Sequence, residues 1–141
     1  MKTLQLSLKA EWFEMTKPGI KPEDYRKINE YWFKRFVYDH KRVFKYLTGH
    51  VWDYVDNQSR EVLIQQICKD PMKCKMIGFK PFDTNTMTLG YPIKTDIARI
   101  LIFEHGGIEI RTGKQQWGAE PGKLYFVVKH GKRIKPLVDH I

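Results

Sequence analysis

Alternating apolar and polar residues predict strands at both ends of the chain. The stretch LQLSL, residues 4–8, alternates strictly and is typical of a half-buried strand. Near the other end, residues 98–106, 107–113 and 123–131 alternate or are continuously apolar, and Gly pairs or Pro-Gly separate them. We therefore expect three strands in the last third of the chain, with a tight hairpin turn at Gly106-Gly107.

The first half of the chain carries helical spacing instead. Apolar residues of the segment AEWFEM recur at helical spacings, and Pro18-Gly19 then favours a turn. Residues 30–47 place large apolar side chains near one helical face, so we expect a helix with a break near Asp39-His40.

The middle of the chain carries a weaker pattern. Residues 24–28 are compatible with an extended segment, and residues 60–68 fit either a helix or a buried strand. A Gly- and Pro-rich stretch then contains one expected strand at residues 86–90. These elements predict one α+β domain over residues 1–141, in which strands from both ends pair to close a sheet or small barrel.

Length and composition agree with a folded domain. The chain has 141 residues, of which 42% are hydrophobic, and this argues against intrinsic disorder. No apolar run approaches the length of a membrane span, and the first residues lack the pattern of a signal peptide. We expect a soluble, cytoplasmic protein that has no membrane partner.

Charge narrows the class of partner. Lys and Arg number 25 against 16 Asp and Glu, which gives a formal net charge of +9. An excess of this size on a small domain favours polyanions such as nucleic acid, nucleotides or an anionic membrane surface. The alternative is a basic protein that its charge merely keeps in solution.

One short segment, GIKPEDYR at residues 19–26, contains several residue types that bind anions or take part in catalysis. If residues 24–28 are extended, Asp24 and Arg26 project from the same face, and Lys21 in the preceding turn can reach them. Arg and Lys there can hold an anionic ligand. Alternatively, Arg26 and desolvation favour a neutral Lys21, which can act as a base or nucleophile while Asp24 moves a proton. A surface salt-bridge cluster is the third interpretation.

A second candidate is the Gly-rich loop GKQQWGAEPGK, residues 113–123. Its single large aromatic residue, Trp117, is either a stacking platform for a nucleic-acid base or a plug over the end of the barrel.

Metal and cofactor chemistry has little support in the sequence. Cys68 and Cys74 lack the spacing of a metal knuckle, and we expect free thiols, with a disulfide as the alternative. The five histidines form no helix-spaced metal pair, and we interpret His105 and His130 as turn residues. No dinucleotide fingerprint or nucleophile elbow is present, so we predict no metal and no cofactor.

Residues 3–30 and about 78–135 resemble the ASCH domains, relatives of the PUA domains of RNA-modifying proteins. Their motif is Gly, any residue, Lys, two residues, Glu, any residue, Arg. Gly19, Lys21 and Arg26 match it, and Asp24 takes the place of the Glu. The Trp117-Gly118-Ala119 piece and the strand YFVVKHGK are similar to the closing part of small bacterial and phage members.

The resemblance implies a PUA-like fold, a small mixed β-barrel with flanking helices, in which a cleft beside the motif binds RNA or a modified nucleoside. It places the motif residues Gly19, Lys21 and Arg26 at that cleft, and these three, with Trp117 as a stacking face, are the ligand-binding candidates. Some ASCH proteins are amidohydrolases that deacylate N4-acetylcytidine with the motif Lys, Thr at the acidic position and a further Glu, for which Glu104 is the candidate here. Others are ribonucleases. By this resemblance Lys21 and Asp24 are the catalytic candidates.

Residues 37–77 match nothing in that family and are interpreted as a helical or irregular insertion. Its aromatic residues Tyr46, Trp52 and Tyr54 either form an exposed patch that docks a protein partner or pack over an extra core. Three functions follow from the sequence: an RNA- or nucleotide-binding module, a small hydrolase of an acylated cytidine or of RNA, and an interaction protein.

Overall fold

A computed structural model describes residues 2–134 and contains one five-stranded sheet. Its elements are β1 (Thr3–Leu8), α1 (Ala10–Thr16), β2 (Glu23–Lys27), α2 (Glu30–Phe36), α3 (His40–Thr48), α4 (Asn57–Lys69), α5 (Pro71–Cys74), β3 (Thr84–Leu89), β4 (Ile100–Thr112) and β5 (Leu124–Ile134). Three short 3-10 helices lie at Trp52–Tyr54, Ile97–Arg99 and Gln115–Trp117. The α+β class is confirmed.

The sheet curls into a half-barrel with strand order β1-β3-β4-β5-β2. β1 pairs with β3 in parallel, and the other neighbouring strands pair antiparallel. The two edge strands are β1 and β2, and the guanidinium of Arg26 on β2 donates to the carbonyl of Ser7 on β1 at 2.9 Å. This bond brings the two edges of the sheet together across the seam of the half-barrel.

The predicted hairpin at Gly106-Gly107 is wrong, because β4 is one strand of 13 residues that runs through both glycines. Its register with β5 shifts between Phe103 and His105 and again between His105 and Ile108, as expected of a bulged strand. A Cβ at Gly106 would lie 2.9 Å from the Lys129 carbonyl oxygen, and Gly107 has φ +99°. The glycines therefore allow β4 to bend against β5 without reversing the chain.

Three other expectations about secondary structure hold with sharper bounds. The strands expected at residues 4–8, 86–90 and 123–131 are β1, β3 and β5. The break expected in residues 30–47 separates α2 from α3, where Asp39 takes a left-handed φ of 49°. Residues 60–68 are helical, since they belong to α4, whose buried residues Ile64, Ile67 and Cys68 lie on one face.

Residues 37–77 contain α3, a 3-10 helix, α4 and α5, and they contribute to the core. Trp52 is buried, and its ring packs against those of Phe33 and Phe44 at centroid distances of 6.0 and 5.0 Å. Trp52 therefore cannot belong to the exposed patch suggested by the sequence, whereas Tyr46 and Tyr54 are exposed. Cys68 and Cys74 are free thiols.

Candidate functional site

Lys21, Asp24 and Arg26 form a continuous chain of ion pairs, in which Lys21 and Asp24 are buried and Arg26 is partly buried. The Nζ atom of Lys21 lies 3.2 Å from Asp24 Oδ1, and Arg26 Nε donates to Asp24 Oδ2 at 2.5 Å. Alternation along β2 places Asp24 and Arg26 on one face, as the sequence predicted. We refer to these three side chains as the ion relay.

The turn before β2 aims Lys21 into the protein. Gly19 has φ +85°, a conformation that favours glycine, and its N–H donates to the Thr16 carbonyl. The N–H of Lys21 then donates to the Met15 carbonyl at 3.0 Å. Gly19 is exposed and does not line the cavity described below, so its contribution to the site is the shape of the turn.

Lys21 is 2% exposed, and its ammonium group is well satisfied. It donates to the Glu23 carbonyl at 2.9 Å as well as to Asp24. Its Nζ atom also lies 5.8 Å from the ring centroid of Trp12 and 5.6 Å from that of Tyr25, within cation–π range. A charge this deeply buried is tolerated only because a carboxylate and a carbonyl oxygen both contact it.

The Lys21 and Asp24 end of the relay borders a cavity of about 310 Å³, which we call the aromatic cavity. It is lined by four aromatic residues (Trp12, Tyr25, Trp117 and Tyr125), four lysines (Lys9, Lys21, Lys27 and Lys123), two acidic residues (Asp24 and Glu120) and Gly118. Apolar ring faces beside several cations are typical of sites that stack a base and neutralise a phosphate.

Trp117 belongs to the wall of this cavity and is half-buried. The ammonium of Lys114 lies 4.7 Å from the centroid of its ring. The next residue, Gly118, has φ +97°, and a Cβ there would lie 2.8 Å from the Trp12 ring. The loop therefore brings Trp117 and Trp12 to the same cavity. Any larger residue at Gly118 would displace the Trp12 ring.

Glu23, which sequence analysis did not select as a site residue, holds the Tyr25 side chain in the wall of the cavity. Its carboxylate accepts from the Tyr25 hydroxyl at 2.6 Å and from Arg111 at 2.6 and 3.0 Å. Burial opposes ionisation of Glu23, but these hydrogen bonds outweigh it and lower its pKa. Burial and the bond to Glu23 raise the pKa of Tyr25 to about 12, so its hydroxyl stays protonated.

A second polar network lies inside the half-barrel, centred on Asn85. Asn85 is fully buried, and its Oδ1 atom lies 2.6 Å from His105 Nδ1 while its Nδ2 atom lies 2.9 Å from His130 Nδ1. The interpretation of both histidines as turn residues is therefore wrong. They are strand residues that face each other across β4 and β5, and only the register of these strands brings them together.

His130 is held in its neutral form. Burial lowers the pKa of His130 to about 4, and its backbone N–H donates to the carbonyl of Pro22, directly before β2. Because Asn85 Nδ2 is a donor, His130 Nδ1 accepts, and the proton resides on Nε2. This Nε2 is buried and has no hydrogen-bond partner among the described residues.

We expect the stability of the protein to fall in acid through His130. Its pKa is about 4 in the folded protein and 6.5 in the unfolded chain, so the unfolded state takes up a proton first as the pH falls. Between pH 7 and pH 5 this costs about 2 kcal/mol of unfolding free energy. Urea unfolding at both pH values checks it: His130→Gln should lose markedly less stability over this interval than the wild type, and equal losses would contradict the assignment.

Two sequence candidates lie away from the aromatic cavity. Arg26 faces a different cavity, between β1 and α2, so the relay separates two cavities and does not surround one. Glu104 is exposed on β4 and lines neither of them. Within residues 2–134 no three His, Cys, Asp or Glu side chains are grouped to hold a metal ion, and His140 lies outside the described residues.

Comparison of the chain with protein-family models, with curated proteins and with solved structures finds no significant match. Among the helices of residues 2–134, none combines the length and the apolar character needed to cross a membrane.

Proposed function

We propose that this protein is a single-stranded RNA- or nucleotide-binding module and that the aromatic cavity holds a base. The observation that carries the proposal is the cavity wall, where Trp12, Trp117 and the two tyrosines lie among four lysines. Every base has a π-face that stacks on an aromatic ring, and lysines neutralise the adjoining phosphates.

The net charge supports the same ligand class independently of the cavity. A formal charge of +9 attracts polyanions and accelerates their encounter. The exposed Glu120 adds selectivity, since its carboxylate accepts hydrogen bonds and repels phosphate. The arrangement suits a base whose exocyclic amino group points toward a carboxylate while its phosphate lies near the lysines at the rim.

Burial of Lys21 favours binding over hydrolysis. A nucleophile or general base must reach the bond that it attacks, but Lys21 is 2% exposed and its ammonium contacts two oxygen acceptors. The ion relay fits a positioning role, in which Lys21 and Arg26 together fix the carboxylate of Asp24 at the cavity wall. Deacylation of an N4-acylated cytidine stays the alternative function of this site.

We also propose that the curled five-stranded half-barrel is a PUA-like domain of the ASCH type. Support comes from the order of elements around the motif: α1, a glycine turn, β2 with Asp24 and Arg26, and a Trp-Gly-Ala loop that returns to the same cavity. In this proposal residues 37–77, which contain α3 to α5, are an insertion.

Equilibrium binding of a fluorescein-labelled, 12-nucleotide single-stranded RNA tests the proposed function. We expect saturable binding whose affinity falls as salt rises, because each neutralised phosphate releases counterions. The three cavity lysines other than the buried Lys21 contribute about −2 to the slope of log K against log salt, and phosphate contacts outside the cavity make the slope steeper. A double-stranded RNA of the same length serves as the control and should bind more weakly, since its bases are unavailable for stacking. Affinity that is indifferent to salt would contradict the proposal.

A further inference from the structure

The cavity that Arg26 lines opens at the seam of the half-barrel. Its volume is about 310 Å³, and we call it the seam cavity; Ser7, Arg26, Tyr31, Trp32, Arg35 and Tyr91 form much of its wall. Among residues 2–134, no strand pairs with this edge of β1. Instead Arg26 donates to the Ser7 carbonyl, and Arg35 donates to the Gln5 carbonyl at 3.3 Å.

Aromatic rings and guanidinium groups alternate in this wall. The Trp32 ring centroid lies 5.0 Å from the guanidinium carbon of Arg26 and 5.1 Å from that of Arg35. Tyr31 packs edge-on against Trp32, and Arg35 donates to its hydroxyl. Tyr91 also lines the cavity and is 95% exposed. A large aromatic side chain this exposed is available to stack on a ligand.

A group of cationic side chains extends from Arg35 away from the seam cavity. We call it the cationic strip, and it consists of Lys2, Lys34, Arg35 and Lys80. Two hydrogen bonds to backbone carbonyls place Lys80 against the end of α2. The backbone N–H of Lys80 donates to the Phe36 carbonyl, and its side-chain Nζ atom donates to the Lys34 carbonyl at 3.1 Å. Lys2 is adjacent, because its carbonyl accepts the N–H of Asp83.

The side chains of the cationic strip have no ion-pair partner in the described part of the chain, and the nearby Asp83 carboxylate accepts from the backbone N–H of Lys2. Burial, with the charges of Lys2 and Arg35, lowers the pKa of Lys80. Burial, with Lys80, Lys34 and Lys41, likewise lowers the pKa of His40 despite the opposing charge of Asp39. Cations that disfavour one another's charge and have no ion-pair partner form a surface that attracts anions.

We propose that the cationic strip and the seam cavity form a track for the sugar–phosphate backbone of a single-stranded nucleic acid, with Tyr91 stacking on a base. Arg35 links the two parts, since it belongs to the strip and lines the seam cavity. The inference rests on the proposed function for its ligand class, and it extends the binding surface across β2. The ion relay connects the two cavities, with Lys21 and Asp24 at one and Arg26 at the other.

The test neutralises the strip and compares salt dependence. The strip variant is Lys34→Gln/Arg35→Gln/Lys80→Gln. The control variant, Lys69→Gln/Lys73→Gln/Lys75→Gln, removes the same charge from exposed lysines that line neither cavity. For the labelled 12-nucleotide RNA, we expect the salt slope to become shallower by about 2 in the strip variant, since each lost phosphate contact removes about 0.7. The control variant should keep the wild-type slope. Equal slopes in the two variants would contradict the proposal that the cationic strip binds the phosphates.

Tyr91→Ala provides a second variant that does not endanger the fold. We expect it to weaken RNA binding about 5-fold or more, the usual loss for one stacked base. Tyr54→Ala, at a residue that is 88% exposed and lines neither cavity, should leave the affinity unchanged. Equal affinities of these two variants would overturn the stacking role, and displacement of the RNA by poly-glutamate at equal charge concentration would indicate an acidic protein partner instead.

Binding of cytidine 5′-monophosphate, followed by tryptophan fluorescence, separates the track from the proposed function. We expect the mononucleotide to bind the strip variant as it binds the wild type and to bind Trp117→Ala weakly. One outcome would contradict the aromatic cavity as a base-binding site but support the track. In it, the mononucleotide does not bind, while the RNA affinity of the strip variant still depends less on salt than that of the wild type. If the wild type binds no RNA, both proposals fail.

Discussion

Asp24→Asn is expected to destabilise the protein by about 3–5 kcal/mol, the cost of removing one partner of a buried ion pair. The Asp24 side chain is 5% exposed and contacts both Lys21 and Arg26. An amide has no charge to offset the Lys21 ammonium, which is itself 2% exposed. Urea unfolding at neutral pH measures the loss as a lower transition midpoint.

Asp53→Asn is the matched control for this substitution. Asp53 pairs with Lys41 at 3.1 Å, but both side chains are more than half exposed. Exposed pairs contribute about 0–1 kcal/mol, so the control should change stability little. Equal effects of the two substitutions would mean that water reaches the ion relay in solution. The claim that Asp24 and Lys21 form a buried ion pair would then be wrong.

Trp117→Ala is expected to lower the affinity for single-stranded RNA about 5- to 100-fold, because stacking on one aromatic ring contributes about 1–3 kcal/mol per base. Trp117 lines the aromatic cavity and is half-buried, so urea unfolding should accompany the binding measurement. Tyr46→Ala is the control, since Tyr46 is exposed and lines neither the aromatic cavity nor the seam cavity. Affinities of the two variants within twofold of each other would exclude Trp117 as a stacking surface.

Local pattern predicted the parts of the site that depend on neighbours in sequence. Alternation placed Asp24 and Arg26 on one face of β2, and the three-residue separation allowed Lys21 to reach Asp24. Their burial was not predictable, since the same letters describe a solvated surface cluster. Burial arises because β2 pairs with β5 and α1 packs beside the turn, and both contacts depend on residues elsewhere in the chain.

Long-range pairing decided the features that sequence analysis missed. A Gly-Gly pair fits a hairpin and also fits a bulge, and only the continuous pairing of β4 with β5 selects the bulge. His105 and His130 are 25 positions apart, and no spacing rule joins them. The seam cavity likewise requires α2 to lie beside the free edge of β1, which residue patterns within either element do not encode.

The most direct test of the central claim follows the four tryptophan indole N–H signals by NMR during titration with the 12-nucleotide RNA. The aromatic cavity predicts that the signals of Trp12 and Trp117 shift and saturate with the ligand, while that of Trp52, buried in the core, stays in place. Saturated RNA binding that leaves both Trp12 and Trp117 unshifted would contradict the claim that this cavity holds a base.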